Sequence, residues 1–459
     1  MSMSQAAIAA IGGVLVIYAV KVMSKPKYAV SPRISLKARI LNIILSPLAY
    51  FQVSPVFKPL KLSSLEKQAS QGVRGLKDFG DECYKGPYEE TMDMVNEGGY
   101  SPIGKAAAHD FFLRRLMAKL RLQDHLSKPS ISPCLTKPIR DPIFVVGLPR
   151  TGTTYLHRLL SLDPHARAPK TYELFDPVPR YPDDLVKDKK KRIKFVQDAI
   201  DQLLMVVPHF AAIHEVGASL PEECMMSLGC DIPMLFATFH VLIKKPYTSF
   251  NWDCSQGYKN YRRVLQLLQH QAEVEGDTDL MDKRWTLKCP VHLGLLKYLS
   301  QGFPDARIVW THRDATQAVG SLCSFVRATQ DMHEGGDIRL DELGRDVLNF
   351  AKEWIERADT FFKENSDKKH PRSNVMYTEL ISDPVLTVKK LYAEVGYDFT
   401  PEYEGRLKTY IDENNKEREK LKKKGGKKLH SYDVKDFGLK EEAIEEQFEW
   451  YKKKFFTAK

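Results

Sequence analysis

The 459 residues carry 69 Lys plus Arg against 59 Asp plus Glu, a formal charge of +10, and 43% of them are hydrophobic. That apolar share, with Gly and Pro at 26 each, excludes a disordered, collagenous or disulfide-stapled chain and can fill a sizeable core. The basic balance favours anionic partners without choosing among nucleotide, nucleic acid and membrane surface.

Residues 6–20 form an uncharged apolar run, and a helix there would cover most of the ~30 Å hydrocarbon thickness of a bilayer. Nothing basic precedes the run, whereas Lys21, Lys25, Lys27, Arg33, Lys37 and Arg39 follow it. The expectation is a single-pass membrane anchor over residues 1–30 with the rest of the chain on the cytoplasmic side; a cleaved signal, or a Golgi or ER luminal orientation, is the alternative. A second apolar stretch, residues 40–57, is interrupted by Pro47 and Pro55 and reads first as a packing segment, with the membrane interface as its alternative. Residues 31–139 read as a helical linker or N-terminal extension, with helical periodicity over 111–122.

The main domain is expected over residues 140–459. A buried-strand run at 143–146 leads into a loop at 147–152 and a helix over 153–162, closed by Asp163-Pro164. A second strand-like run, 306–311, precedes His312-Arg313-Asp314 and a helix through Val326; a third, 374–377, precedes another helix after Pro384. Strands alternating with helices predict an α/β fold, a P-loop-like parallel sheet flanked by helices, with ligands beyond the carboxyl ends of the strands. The lysine-rich segment 416–428 is too polar for a core and reads as a surface loop and candidate lid.

Gly147-Leu148-Pro149-Arg150-Thr151-Gly152-Thr153-Thr154 has the spacing of a phosphate-binding loop, where a strand turns through glycines into a helix and presents backbone N–H groups to an anion. The lysine that reaches the β and γ phosphates in an ATPase is missing, and Arg150 stands upstream instead. Hydroxyls at Thr151, Thr153 and Thr154 beside this cation suit a compact anionic group whose transfer need not rely on a metal, which points to sulfuryl transfer.

These residues resemble the sulfotransferases that use 3′-phosphoadenosine 5′-phosphosulfate, in the branch carrying Pro-Arg-x-Gly-Thr-Thr, and the likeness runs from about residue 140 to the C-terminus. The resemblance implies that Arg150, Thr151, Gly152, Thr153 and Thr154 hold the 5′-phosphosulfate. It also implies that Arg313 and Ser321, eight residues apart, hold the 3′-phosphate. By the same likeness Lys288, in Leu287-Lys288-Cys289-Pro290, lies near the transferred group, Tyr377 lies near the adenine, and Lys427 belongs to a basic cofactor loop at 424–428.

Transfer to an alcohol needs a base for the hydroxyl and cations for the leaving phosphate, with Arg150 and Lys288 as the candidate cations. The histidine that the cytosolic branch of the family uses two residues after the lysine is replaced here by Pro290; the resemblance to the Pro-Arg-x-Gly-Thr-Thr branch, which employs a glutamate soon after the first helix, implies Glu173, in Pro169-Lys170-Thr171-Tyr172-Glu173-Leu174-Phe175, as the base, with His214 and His292 as alternatives. Its apolar neighbours would raise its pKa towards a useful range. His209, His214, Pro221, Glu222 and Glu223 form a polar cluster expected on the acceptor side, either contacting acceptor or capping the following helix.

The expected acceptor is a lipid, a sterol, another small molecule or a glycan. No metal is expected: His214-Glu215 lacks the second histidine of a HExxH site, and the seven cysteines include no CxxC pair. No basic, aromatic-interleaved module points to nucleic acid. Two rival readings stay open, a P-loop kinase or NTPase and a membrane-tethered nucleotide binder without turnover.

Overall fold

The four residues Ile143–Val146 (β1) are all buried and all apolar, as a strand covered on both faces must be. In the computed structural model, which describes residues 33–233, 252–277, 283–333, 338–365, 370–423 and 433–457, β1 lies at the centre of a five-stranded sheet. Ala166–Arg167 (β2), Arg284–Lys288 (β3), Arg307–His312 (β4) and Arg372–Met376 (β5) complete it in the order β2-β3-β1-β4-β5, every pair parallel. Val145 pairs with Lys288 on one side and Val309 on the other, so the carboxyl ends of β1, β3 and β4 emerge together. That edge is where α/β sheets bind ligands.

Alternate residues of β1 serve different cores. Phe144 and Val146 join the large cluster that includes Leu287, Trp310 and Trp354, while Ile143 and Val145 pack on the other face with Leu156, Val309 and Leu391. The runs at 143–146, 306–311 and 374–377 fall on β1, β4 and β5 to within two residues. Tyr377 is the exception in the last run, because it opens the next helix, Tyr377–Ser382.

The stretch expected as a helical linker or N-terminal extension is helical, and it packs into the core. Leu36–Tyr50 (α1), Leu62–Gly72 (α2), Lys85–Glu97 (α3) and Pro102–Ser127 (α4) follow one another, and Tyr84, Tyr88, Phe112, Leu116 and Leu120 sit in the same cluster as Phe144 and Leu287. The Ser101 hydroxyl caps α4 by accepting from Gly104 N, and a Cβ at Gly104 would lie 1.9 Å from the His333 carbonyl oxygen, so that approach requires glycine.

Thr153–Leu160 (α5) follows β1, then come Thr171–Phe175 (α6), Leu185–Val206 (α7), Ala315–His333 (α8) and Pro401–Lys423 (α9). The last of these corrects the loop expected from Lys416 onward. Residues through Lys423 remain helical, as Arg406 and Lys408 already pair with Glu402 and Glu404 one turn back. Residues 424–428, Lys427 among them, lie outside the described residues.

The single-pass membrane location is also corrected: among the described residues no helix is long and apolar enough to cross a membrane. The apolar run at 6–20, and the anchor expected over 1–30, lie outside the described residues.

Candidate active site

The turn after β1 is held by hydroxyls and unusual backbone angles. Gly147 has φ 152, and a Cβ there would meet Thr311 Oγ1 at 2.2 Å; Gly152 has φ 92 and is the residue immediately before α5. Arg150, which is not a glycine, also takes a positive φ of 74, a conformation that costs roughly 1 kcal/mol or more and is kept where surroundings enforce it. Thr151 supplies part of that enforcement: its hydroxyl donates to Leu148 O at 2.7 Å and lies 2.6 Å from Thr311 Oγ1 at the end of β4. The result aims the N-terminus of α5 and the Thr153 and Thr154 side chains into a cavity.

Both groups of residues assigned to the two ends of a nucleotide meet at this turn. Arg150 Nε donates to Ser321 Oγ at 3.2 Å and Arg150 Nη1 to Ile213 O at 3.0 Å. Arg313 Nη1 donates to Arg150 O at 2.9 Å, and its guanidinium carbon lies 4.5 Å from the Tyr377 ring centre. Tyr377 in turn is what a Cβ at Gly152 would meet, at 3.0 Å. Arg150, Gly152, Arg313, Ser321 and Tyr377 therefore form one continuous cluster at the carboxyl edge of β1 and β4. Beyond the ring of Tyr377, the hydrogen bonds of the Arg313 guanidinium among the described residues go to neutral oxygens, those of Arg150 and Gln317, which leaves its charge suited to an anionic ligand.

The cavity beside the turn holds about 300 Å³. Arg150, Thr153, Thr154, His214, Glu222 and Glu223 are among its polar lining residues, and Phe111, Leu203, Phe210, Met226, Phe325 and Met332 among its apolar ones. His214 Nε2 lies 3.7 Å from Glu222 Oε2. Burial works to raise the pKa of Glu222, but the His214 ring facing it, with Lys288 nearby, holds it below the usual carboxylate range. Glu223 Oε1 accepts from Lys288 Nζ at 2.7 Å. Burial opposes the charge on Lys288, yet Glu223 and Glu222 outweigh it and hold its pKa above the ordinary value.

Three expected residues stand elsewhere. Glu173 does not line the cavity: its carboxylate accepts from Arg167 Nη2 at 3.0 Å and from Lys170 N at 2.8 Å, closing the first turn of α6. Lys288 is 1% exposed and faces the cavity only through Glu223, which does line it. His292 is fully buried behind β1, with Nδ1 2.6 Å from the Tyr258 hydroxyl and its ring against Phe144.

Of the polar cluster, His214, Glu222 and Glu223 reach the cavity and His209 does not. Glu222 caps no helix; its Oε1 accepts from Glu223 N at 2.8 Å. The ligand atoms of His214, Glu222 and Glu223 all lie within 4.8 Å of one another, close enough for a metal ion, but Lys288 already neutralises Glu223 and His214 faces Glu222. The sequence reading missed the bracing by Thr311 and the contribution of α4, through Ala107 and Phe111, to the cavity wall. Thr311 directly before His312-Arg313 was the available signal for the first.

Residues 142–401 match the sulfotransferase family. The chain is 24% identical over 288 residues to the omega-hydroxy-beta-dihydromenaquinone-9 sulfotransferase Stf3 of Mycobacterium bovis, and equally to that of Mycobacterium tuberculosis, covering 59% of this chain and 66% of each relative. It thus spans just under two thirds of the length of the curated relatives it matches. Among solved structures, sulfotransferase STF1 from Mycobacterium tuberculosis superposes with a TM-score of 0.67 at 27% identity, covering 85% of this chain and 98% of that one. Sulfotransferase STF9 from Mycobacterium avium shares the fold, with a TM-score of 0.68, 24% identity, and 86% and 97% coverage.

Proposed function

We propose, since this chain belongs to the sulfotransferase family, that it moves a sulfuryl group from 3′-phosphoadenosine 5′-phosphosulfate to the hydroxyl of a lipophilic acceptor. The observation that carries this reading is the hydrogen-bonded contact of the strand-to-helix turn with Arg313 and Ser321, directly beside an apolar cavity. Backbone N–H groups at the start of α5, with Arg150, suit the phosphosulfate end; Arg313 and Ser321 suit the ribose-borne phosphate, and Tyr377 the base. The Mycobacterium relatives are named for a hydroxylated menaquinone, and a long apolar alcohol suits a wall of Phe, Leu and Met better than a glycan does.

His214, rather than Glu173, is the base in this reading. It faces the cavity with the Glu222 carboxylate behind it, 3.7 Å from its Nε2. His214 takes the proton of the acceptor hydroxyl as the acceptor oxygen bonds to sulfur. The sulfur–oxygen bond to the 5′-phosphate breaks with its electron pair leaving on that phosphate, where Arg150 and the α5 N-terminus offset the charge. Lys288 acts through Glu223 as a positioning residue. Water is kept from the donor by the apolar cavity wall.

Incubation with sulfur-labelled donor and either a long-chain isoprenoid alcohol or a monosaccharide tests the reading. Label is expected in the isoprenoid alcohol without added magnesium. Tight nucleotide binding with no labelled product would favour a binder without turnover, and magnesium-dependent use of ATP would favour a kinase or NTPase.

A further inference from the structure

The helix α1 is amphipathic the wrong way round. Its buried stripe is Ala38, Asn42, Ser46 and Ala49, while Leu36, Ile40, Ile44 and Leu48, spaced every fourth residue, are 63%, 48%, 63% and 41% exposed. A helix on a water-facing surface shows the opposite arrangement. The inward stripe has a packing cause: Asn42 Oδ1 accepts from Ile103 N at the start of α4, and small residues beside it allow the close approach. Among the described residues nothing of that kind accounts for the outward leucines and isoleucines. Phe51 and Val53, 63% and 66% exposed, continue the surface, and eight of the fourteen exposed large apolar side chains among the described residues fall between 36 and 53, which makes them one patch rather than a scatter.

The charge around the patch has one sign. Between residues 33 and 65 there is no Asp or Glu, against Arg33, Lys37, Arg39, Lys58 and Lys61. Lys58 and Lys105, with Gln52, line a small cavity of about 150 Å³ at the end of the patch, beside apolar walls of Val56, Phe57 and Leu60. A second copy of this chain meeting the patch across a two-fold axis would bring like charges together.

We infer that α1 and the turn after it lie on the surface of an anionic phospholipid bilayer, with the apolar stripe at the level of the acyl boundary, the lysines on headgroup phosphates, and no element of it crossing. The inner side of the same helix backs the acceptor cavity, since Ile34 and Ala38 pack on Phe210 and Met332, two of its lining residues. An acceptor dissolved in the bilayer then has a short route to His214. That consequence rests on the function proposed above, but the docking itself does not, and it is read without any sulfuryl transfer.

Co-sedimentation of the full chain with vesicles of phosphatidylcholine alone, or with about a third phosphatidylglycerol, tests the inference. Wild type is expected to bind the anionic vesicles at least about tenfold better than the neutral ones, and less well as salt rises. Ile44→Glu and Leu48→Glu, at exposed positions outside the site, are each expected to lose about tenfold or more of that binding while nucleotide affinity stays at wild type, which also reports that they fold. Lys58→Glu is expected to lose the preference for anionic lipid. Failure of wild type to bind anionic vesicles, or wild-type binding by Ile44→Glu, would overturn the inference. So would a wild-type dimer that Ile44→Glu converts to monomer with vesicle binding unchanged.

Discussion

His214→Gln lowers turnover by about 10²–10⁴-fold, the range lost when a general base is removed, and leaves the affinity for 3′-phosphoadenosine 5′-phosphate within about twofold. The split follows from geometry. His214 shares the cavity wall with Thr153 and Thr154, whereas the groups assigned to the nucleotide's far end are Arg313 and Ser321. Glu222→Gln is expected to lower turnover in the same direction and by less, because the ring stays but loses the negative charge that faces it. Single-turnover rates beside equilibrium binding check both. Glu173→Gln serves as the contrast: it leaves Arg167, 5% exposed at its side chain, without its carboxylate, so it costs stability of roughly 3 kcal/mol or more while leaving the chemical step near wild type. The opposite pattern, with Glu173→Gln stopping turnover and His214→Gln sparing it, would move the base to α6.

Stability is expected to fall steeply in mild acid. His157, His292, His312 and His333 are buried, and burial pushes their pKa values down, to about 3 for the first two and about 4 for the others, with the Lys288 charge adding to the effect on His157 and His292. The unfolded chain protonates these rings near pH 6.5 and the folded chain does not, so the unfolded state binds more protons and folding weakens as pH drops from about 6.5 towards 4. Each ring that stays neutral costs roughly 2 kcal/mol by pH 5, and four together reach the order of a whole domain's stability. Glu222, whose pKa is lowered instead, contributes stability that is present above the ordinary carboxylate range and disappears only at still lower pH. Urea midpoints measured from pH 7 to 4.5 are expected to fall with a slope of about three to four protons. A slope below one proton would contradict the buried neutral rings.

Much of the sheet was legible because it is written in long-lived local signals. Ile143–Val146 is apolar throughout and is followed at once by Gly147 and, within the same turn, by Thr151, Gly152 and Thr153, which pairs a buried strand with an anion-binding turn. By contrast β3 reads Arg-Trp-Thr-Leu-Lys, whose short polar–apolar alternation would suit a half-exposed strand, although four of its five residues are buried. Lys288 is tolerated there only because Glu223, 65 residues earlier, pairs with it, and no local pattern carries that information. The strand order is opaque for the same reason, since it is fixed by crossovers rather than by the strands themselves.

The site divides in the same way. Arg150, Thr151 and Gly152 follow β1, Arg313 follows β4 with Ser321 in the helix after it, both strands can be read, and the fold brings these residues together. Glu173 was attractive because three apolar neighbours suggested desolvation, but Arg167, six residues before it, pairs with its carboxylate. Helix α1 misleads for a related reason. Its apolar residues mark a buried segment by composition, whereas Asn42 and Ser46 decide which face turns inward.

The central claim is that Arg313 and Ser321 close on the ribose-borne phosphate of a nucleotide whose other end lies in the turn before α5. Calorimetric titration of wild type and Arg313→Ala with 3′-phosphoadenosine 5′-phosphate, and with adenosine 5′-phosphate, measures that contact alone. Arg313→Ala is expected to weaken the first ligand by about 30-fold or more, the worth of a charge-assisted pair, and to leave the second within about threefold. Equal losses for both nucleotides, or no loss for either, would show that the arginine holds no 3′-phosphate.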